Sequence, residues 1–147
     1  MIKSLMDFLK YMFLPASRSF TRSVLGPFPG SRDEFAATVG DVLLFPSGAD
    51  QLLDDDSAII MLRQITWIRA YNKYITIEGH CAANEGTQEQ CLALGSCRAG
   101  HVQMRLQALG LDTKRIRTIT YGRERLVTFD DSEQAHKINR RVVVVIN

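Results

Sequence analysis

The side chains best suited to chemistry crowd into one stretch. Gly79-His80-Cys81-Ala82-Ala83-Asn84-Glu85-Gly86 follows an alternating apolar run, and Cys91-Leu92-Ala93-Leu94-Gly95-Ser96-Cys97-Arg98-Ala99 leads into a helical pattern. His80, Cys81 and Cys91, with Cys97 and His101 about one helical turn apart, offer soft nitrogen and sulfur ligands, but their spacing matches no standard zinc pattern. The plainer reading makes all three cysteines small buried hydrophobes. An odd cysteine count argues against a disulfide framework, and Cys91 and Cys97 lie too far apart on one helix to bridge each other. The chain has no phosphate loop, dinucleotide fingerprint, nucleophile elbow or His-Glu-x-x-His helix. A non-catalytic binder without a cofactor is the expectation.

The elements that must position this stretch can be read from periodicity. Val42-Leu43-Leu44-Phe45, closed by Pro46-Ser47-Gly48, reads as a buried strand entering a loop. Asp54, Asp55 and Asp56 precede apolar residues at three- and four-residue spacing. Acids there suit the positive helix end, so a helix is predicted from about Asp56 to Tyr71. Tyr74–Glu78 alternates and stops at Gly79, as a strand does. Ala99, Val102, Leu106 and Leu109 form a helical stripe that Gly110 ends. Ile116–Tyr121 alternates again, residues 122–140 read as loop with room for one helical turn around Ser132–Lys137, and Val142–Ile146 is apolar on both faces. That last strand should lie inside the sheet or be covered on both sides. The order is β-α-β-α-β-β: an α/β (α+β) sandwich with two helices on one mixed sheet.

The chain has 147 residues, 46% hydrophobic and 23% charged, a composition that supports one domain with a real core and excludes disordered or collagen-like chains. Residues 1–30 carry Lys3, Lys10, Arg18 and Arg22 against Asp7, so the net charge of +2 comes from this segment. The neutral body has no broad basic face for nucleic acid. Ile2, Leu5, Met6, Leu9, Met12 and Phe13 recur as an amphipathic stripe that Pro15 would end. Such a helix packs on the domain or a partner, or lies on a membrane surface through residues 1–14. Asp7 and Lys10 break the only candidate for a spanning helix or a signal peptide core. Leu14-Pro15-Ala16-Ser17 looks like a lipoprotein cleavage box with Ser where the lipidated Cys belongs. Residues 1–32 therefore read as an N-terminal amphipathic segment and linker, and residues 33–147 as the domain.

Thr76-Ile77-Glu78-Gly79-His80, Leu92-Ala93-Leu94-Gly95, Arg98-Ala99-x-x-Val102, Tyr121-Gly122-Arg123-Glu124-Arg125 and Asn139-Arg140-Arg141-Val142 follow one another as in the OmpA-like peptidoglycan-binding domain. The chain resembles that family, and within it the peptidoglycan-associated lipoproteins, over about residues 33–146. The resemblance implies a non-catalytic structural protein of the Gram-negative cell envelope, periplasmic or associated with the outer membrane, with Tol-system or other envelope proteins as partners. It also implies a noncovalent grip on diaminopimelate in the peptidoglycan stem peptide. In the family an Arg at the start of the second helix forks onto the ligand carboxylate, and an Asp after the Gly-His strand end meets its ammonium. The Arg maps to Arg98. Phe45, His80, Leu94, Asn139 and Arg140 are the other ligand-binding candidates, and no metal site is among them.

Three polar groups of the family pattern are missing. The Asp position maps to Ala82 or Ala83 in a loop one residue longer, the Phe-Asp after the first strand is Phe45-Pro46, and the Asn ahead of the Leu-Ala-Leu-Gly run is Cys91. Losing one partner of a desolvated charge pair costs about 2–5 kcal/mol, or roughly 30- to 5,000-fold in affinity. Weak binding by an open Arg98 is the expectation, unless Glu85 or Asp50 swings in to replace a lost carboxylate. A copy that has lost wall binding and serves as a protein-interaction subunit is the alternative.

Overall fold

The structure, a computed structural model, describes residues 26–147. The amphipathic stripe of residues 2–13 and most of the linker lie outside the described residues. A short helix comes first, of α type over Arg32–Glu34 and of π type over Phe35–Val39. We call it α1. Then come β1 (Val42–Leu44), α2 (Asp55–Ala70), β2 (Ile75–His80), α3 (Gln88–Ala108), a 3-10 turn (Thr113–Arg115), β3 (Ile116–Gly122), α4 (Glu133–Asn139) and β4 (Arg141–Ile146). The four strands form one mixed sheet in the order β1-β4-β2-β3. β2 and β3 run parallel, and β4 is antiparallel to both of its neighbours.

Apolar pattern explains that order. β4 lies between β1 and β2, where a strand rich in valine on both faces is sheltered from water. Val142, Val144 and Ile146 project with Ile75 and Ile77 into the core, against Met61, Ile65 and Ile68 of α2 and Ala99, Val102 and Leu106 of α3. Each fully buried aliphatic side chain of this kind contributes about 1.5–3 kcal/mol. Among the described residues no helix is long and apolar enough to cross a membrane.

The helix starts are chemical. Asp54 caps α2, its carboxylate accepting from the Ser57 amide at 2.9 Å and the Ser57 hydroxyl at 2.7 Å. A capping box of Thr87 and Gln90 starts α3. This helix begins well before the Ala99 stripe, and Thr87-x-x-Gln90 is its start signal in the sequence. Two short helices were not foreseen as such. α4 is longer than the single turn allowed for, with Ser132 accepting from the Ala135 amide at 3.1 Å. α1 buries Glu34, whose carboxylate accepts from the Gly30 amide at 2.6 Å and the Trp67 indole at 3.2 Å.

Candidate functional site

The site is built where α3 crosses β2 without side chains between them. A Cβ placed on Gly79 would lie 1.8 Å from the Gly95 carbonyl oxygen, so the two backbones touch and neither glycine can be replaced without moving an element. This contact carries Arg98, almost one turn after Gly95, to the end of the sheet where β1 and β2 finish.

Arg98 is fully buried, and five N–H groups find five oxygens. Nε donates to the Ala49 carbonyl at 2.7 Å. Nη1 donates to the His80 carbonyl at 3.0 Å and to Glu85 Oε1 at 2.9 Å, and Nη2 donates to Glu85 Oε2 at 2.5 Å and to the Pro46 carbonyl at 3.4 Å. The guanidinium also stands 5.2 Å from the centre of the Phe45 ring. One side chain thus joins the loop after β1, the end of β2 and the loop before α3.

Glu85 is equally committed. Oε1 accepts from the Ala82 amide at 2.8 Å and Oε2 from the Gly48 amide at 2.9 Å, in addition to the fork from Arg98. Burial pushes this carboxyl up, but the hydrogen bonds from Arg98, Ala82 and Gly48 outweigh it and hold the group below the usual carboxylate range. Of the two acids, Glu85 has swung in, but onto Arg98 itself and not into the cation-binding role of the missing Asp. Asp50 instead lines an open groove of about 410 Å³ with Pro46, Ala49, Gln51, Leu53 and Asp54. The expectation of a guanidinium waiting for an anion is therefore corrected: its carboxylate is already there and belongs to the chain. The sequence signal for this was an acid, Glu85, within the loop between Gly79 and Gly86.

The other candidates have structural partners. Phe45 is buried under the Arg98 guanidinium, and its carbonyl accepts from Arg140 Nε at 3.1 Å. Arg140 also reaches Glu133 at 3.3 Å, so it ties α4 to the end of β1. Asn139 Oδ1 accepts from the Val127 amide at 2.7 Å and Nδ2 donates to the Thr128 carbonyl at 3.0 Å, which fastens the loop after β3. Leu94 is half-buried on α3. His80 is buried on the opposite sheet face, its ring stacked on Tyr121 with centroids 5.5 Å apart and Nε2 3.6 Å from Glu78. Burial, then the Arg141 and Arg125 charges, press its pKa down to about 4. Arg98 and Phe45 thus share a site with the His80 carbonyl, whereas the His80 ring, Asn139 and Arg140 face other neighbours.

Among the described residues no three His, Cys, Asp or Glu side chains gather to hold an ion. Cys81 and Cys91 are buried as expected, but Cys97 is exposed, because it falls on the outer face of α3. Arg123 went unremarked as a site residue. Its guanidinium donates to the Gly86 carbonyl at 3.0 Å and the Ala83 carbonyl at 3.4 Å, bracing the Glu85 loop from outside.

Comparison with known proteins agrees with this architecture. Residues 44–140 match the model of the OmpA family. The chain is 41% identical over 120 residues to a peptidoglycan-associated lipoprotein of Brucella melitensis, covering 81% of this chain and 70% of that protein. It is 40% identical over 119 residues to that of Rhizobium meliloti, covering 80% and 66%. The crystal structure of the peptidoglycan-associated lipoprotein from Burkholderia pseudomallei has the same fold, with a TM-score of 0.71 at 23% identity over 76% of this chain and 96% of that one. With the sheet order, the glycine crossing and the buried arginine of α3 in place, the chain belongs to the OmpA family, a non-catalytic family.

Proposed function

We propose that this domain is a non-catalytic peptidoglycan-binding module of a Gram-negative cell envelope, periplasmic or associated with the outer membrane. It takes the diaminopimelate end of the stem peptide beside Arg98, and binding is weak because Glu85 already occupies the carboxylate position. The relatives named above support the wall as ligand. The observation that carries the weak affinity is the fork between Arg98 and Glu85, which leaves no N–H of the guanidinium free. A ligand carboxylate must displace Glu85, and Asp50 in the adjoining groove is an acid able to meet its ammonium.

Calorimetry of the full chain with a diaminopimelate-containing stem peptide tests this. Glu85→Ala should bind at least about tenfold more tightly than the unaltered protein, because the ligand then enters a vacated fork, a gain of about 1.4 kcal/mol. Arg98→Ala should abolish binding. Measurable binding whose affinity Glu85→Ala leaves unchanged or lowers rejects self-occupation of the site.

The same pairing favours a second reading, in which the module no longer holds the wall and serves as an interaction subunit of an envelope complex, with Tol-system proteins as candidates and residues 1–14 as its docking or membrane-surface segment. Absence of stem-peptide binding by both the unaltered protein and Glu85→Ala would select it.

A further inference from the structure

Cys81 and Cys91 come from different elements, the residue after β2 and the first turn of α3, yet each thiol lies on the backbone beside the other. Cys81 Sγ donates to the Cys91 carbonyl at 3.3 Å. Cys91 Sγ reaches back to the Gly86 carbonyl at 3.8 Å and the Ala82 carbonyl at 4.0 Å. Both residues are 0% exposed. These crossed contacts with each other's backbone put the two thiols side by side, and the Cys81 thiol is pushed up to about 12, by burial first and then by a hydrogen bond and charge repulsion from Cys91. Cys97, by contrast, is exposed and well along α3.

We infer that Cys81 and Cys91 are the two halves of an intramolecular disulfide that staples the end of β2 to the start of α3. The inference rests on the envelope reading for its oxidising compartment. The reaction is exchange with a disulfide of the glutathione or oxidoreductase class. The two thiols give up two protons and two electrons, one S–S bond forms between Cys81 and Cys91, the S–S bond of the donor breaks, and the donor leaves as two thiols. Both side chains are sealed from solvent in the folded domain and burial holds Cys81 as a thiol, so exchange runs during folding, before the loop over residues 82–90 closes. That loop carries Glu85, and a staple at its two ends restrains the acid that covers Arg98.

The test is refolding of the full chain in a glutathione redox buffer, followed by alkylation under denaturing conditions and peptide mass analysis. The expected product has one alkylated cysteine, Cys97, and a peptide linking Cys81 to Cys91. Its thermal midpoint should stand about 5–10 °C above that of the dithiothreitol-treated protein. Cys97→Ser should keep the link and show no free thiol, while Cys91→Ser should lose the link. Alkylation of all three cysteines after refolding, or links to Cys97 as abundant as the expected one, overturns the inference. Since no wall fragment enters this assay, its failure leaves the proposed ligand standing, and a failed binding experiment leaves the disulfide standing.

Discussion

Arg98 and Glu85 meet as a two-pronged ion pair, Nη1 to Oε1 at 2.9 Å and Nη2 to Oε2 at 2.5 Å, with side chains 0% and 1% exposed. A desolvated pair of this kind is held in place by its further hydrogen bonds, here from Ala82 and Gly48 to the acid and from the arginine to the Pro46, Ala49 and His80 carbonyls. It replaces an open ligand site with an internal tie.

Removing either partner should therefore destabilise the fold as well as alter binding. Arg98→Ala leaves a buried carboxylate without its counter-charge and should cost about 3–5 kcal/mol in urea unfolding. Arg98→Lys should recover only part, since an ammonium cannot fork onto both oxygens. The doubly substituted Arg98→Met, Glu85→Leu protein should be more stable than Arg98→Ala alone. A cost below about 1 kcal/mol for Arg98→Ala would show that the pair does not tie the loops.

Gly79→Ala tests the backbone crossing. The new methyl would overlap the Gly95 carbonyl at 1.8 Å, so α3 must lift from β2. The expected loss is about 3 kcal/mol or more by chemical denaturation, together with a disturbed Arg98 environment in the NMR spectrum. Stability close to that of the unaltered protein contradicts the direct contact.

His80 should make the domain acid-sensitive. Its folded-state pKa of about 4 lies below the ordinary 6.5, so as pH falls through that interval the unfolded chain takes up the proton first and stability drops. The loss from this group is up to about 3 kcal/mol between pH 6.5 and 4, with none above that window. Burial lowers His101 in the same direction, so the comparison is with His80→Phe, which keeps the stack on Tyr121 and should flatten the difference. Parallel stability profiles of the two proteins between pH 4 and 7 would remove His80 from the explanation.

Asn139→Ala should free the loop after β3. Both amide atoms of Asn139 serve Val127 and Thr128, and the side chain is 1% exposed. Losing the two bonds should cost about 2–3 kcal/mol. Amide exchange at Val127 should quicken markedly while β4 stays protected. Unchanged exchange at Val127 would assign the asparagine another purpose.

Residue order alone was enough for the main strands and helices, the acidic start of α2, the shelter of β4 and the five motifs of the family, because periodicity, capping and turn chemistry are properties of neighbouring residues. It also pointed to Glu85 and Asp50 as the acids able to stand in for the missing one. Only the folded chain decided between them, sent the His80 ring to the far side of the sheet and gave Asn139 and Arg140 loop partners. It alone set Cys81 beside Cys91. The Arg98–Glu85 and Cys81–Cys91 contacts depend on how α3 crosses β2, which the Gly79–Gly95 backbone contact fixes, and the others on how separate strands and loops pair, so neighbouring residues alone do not encode them.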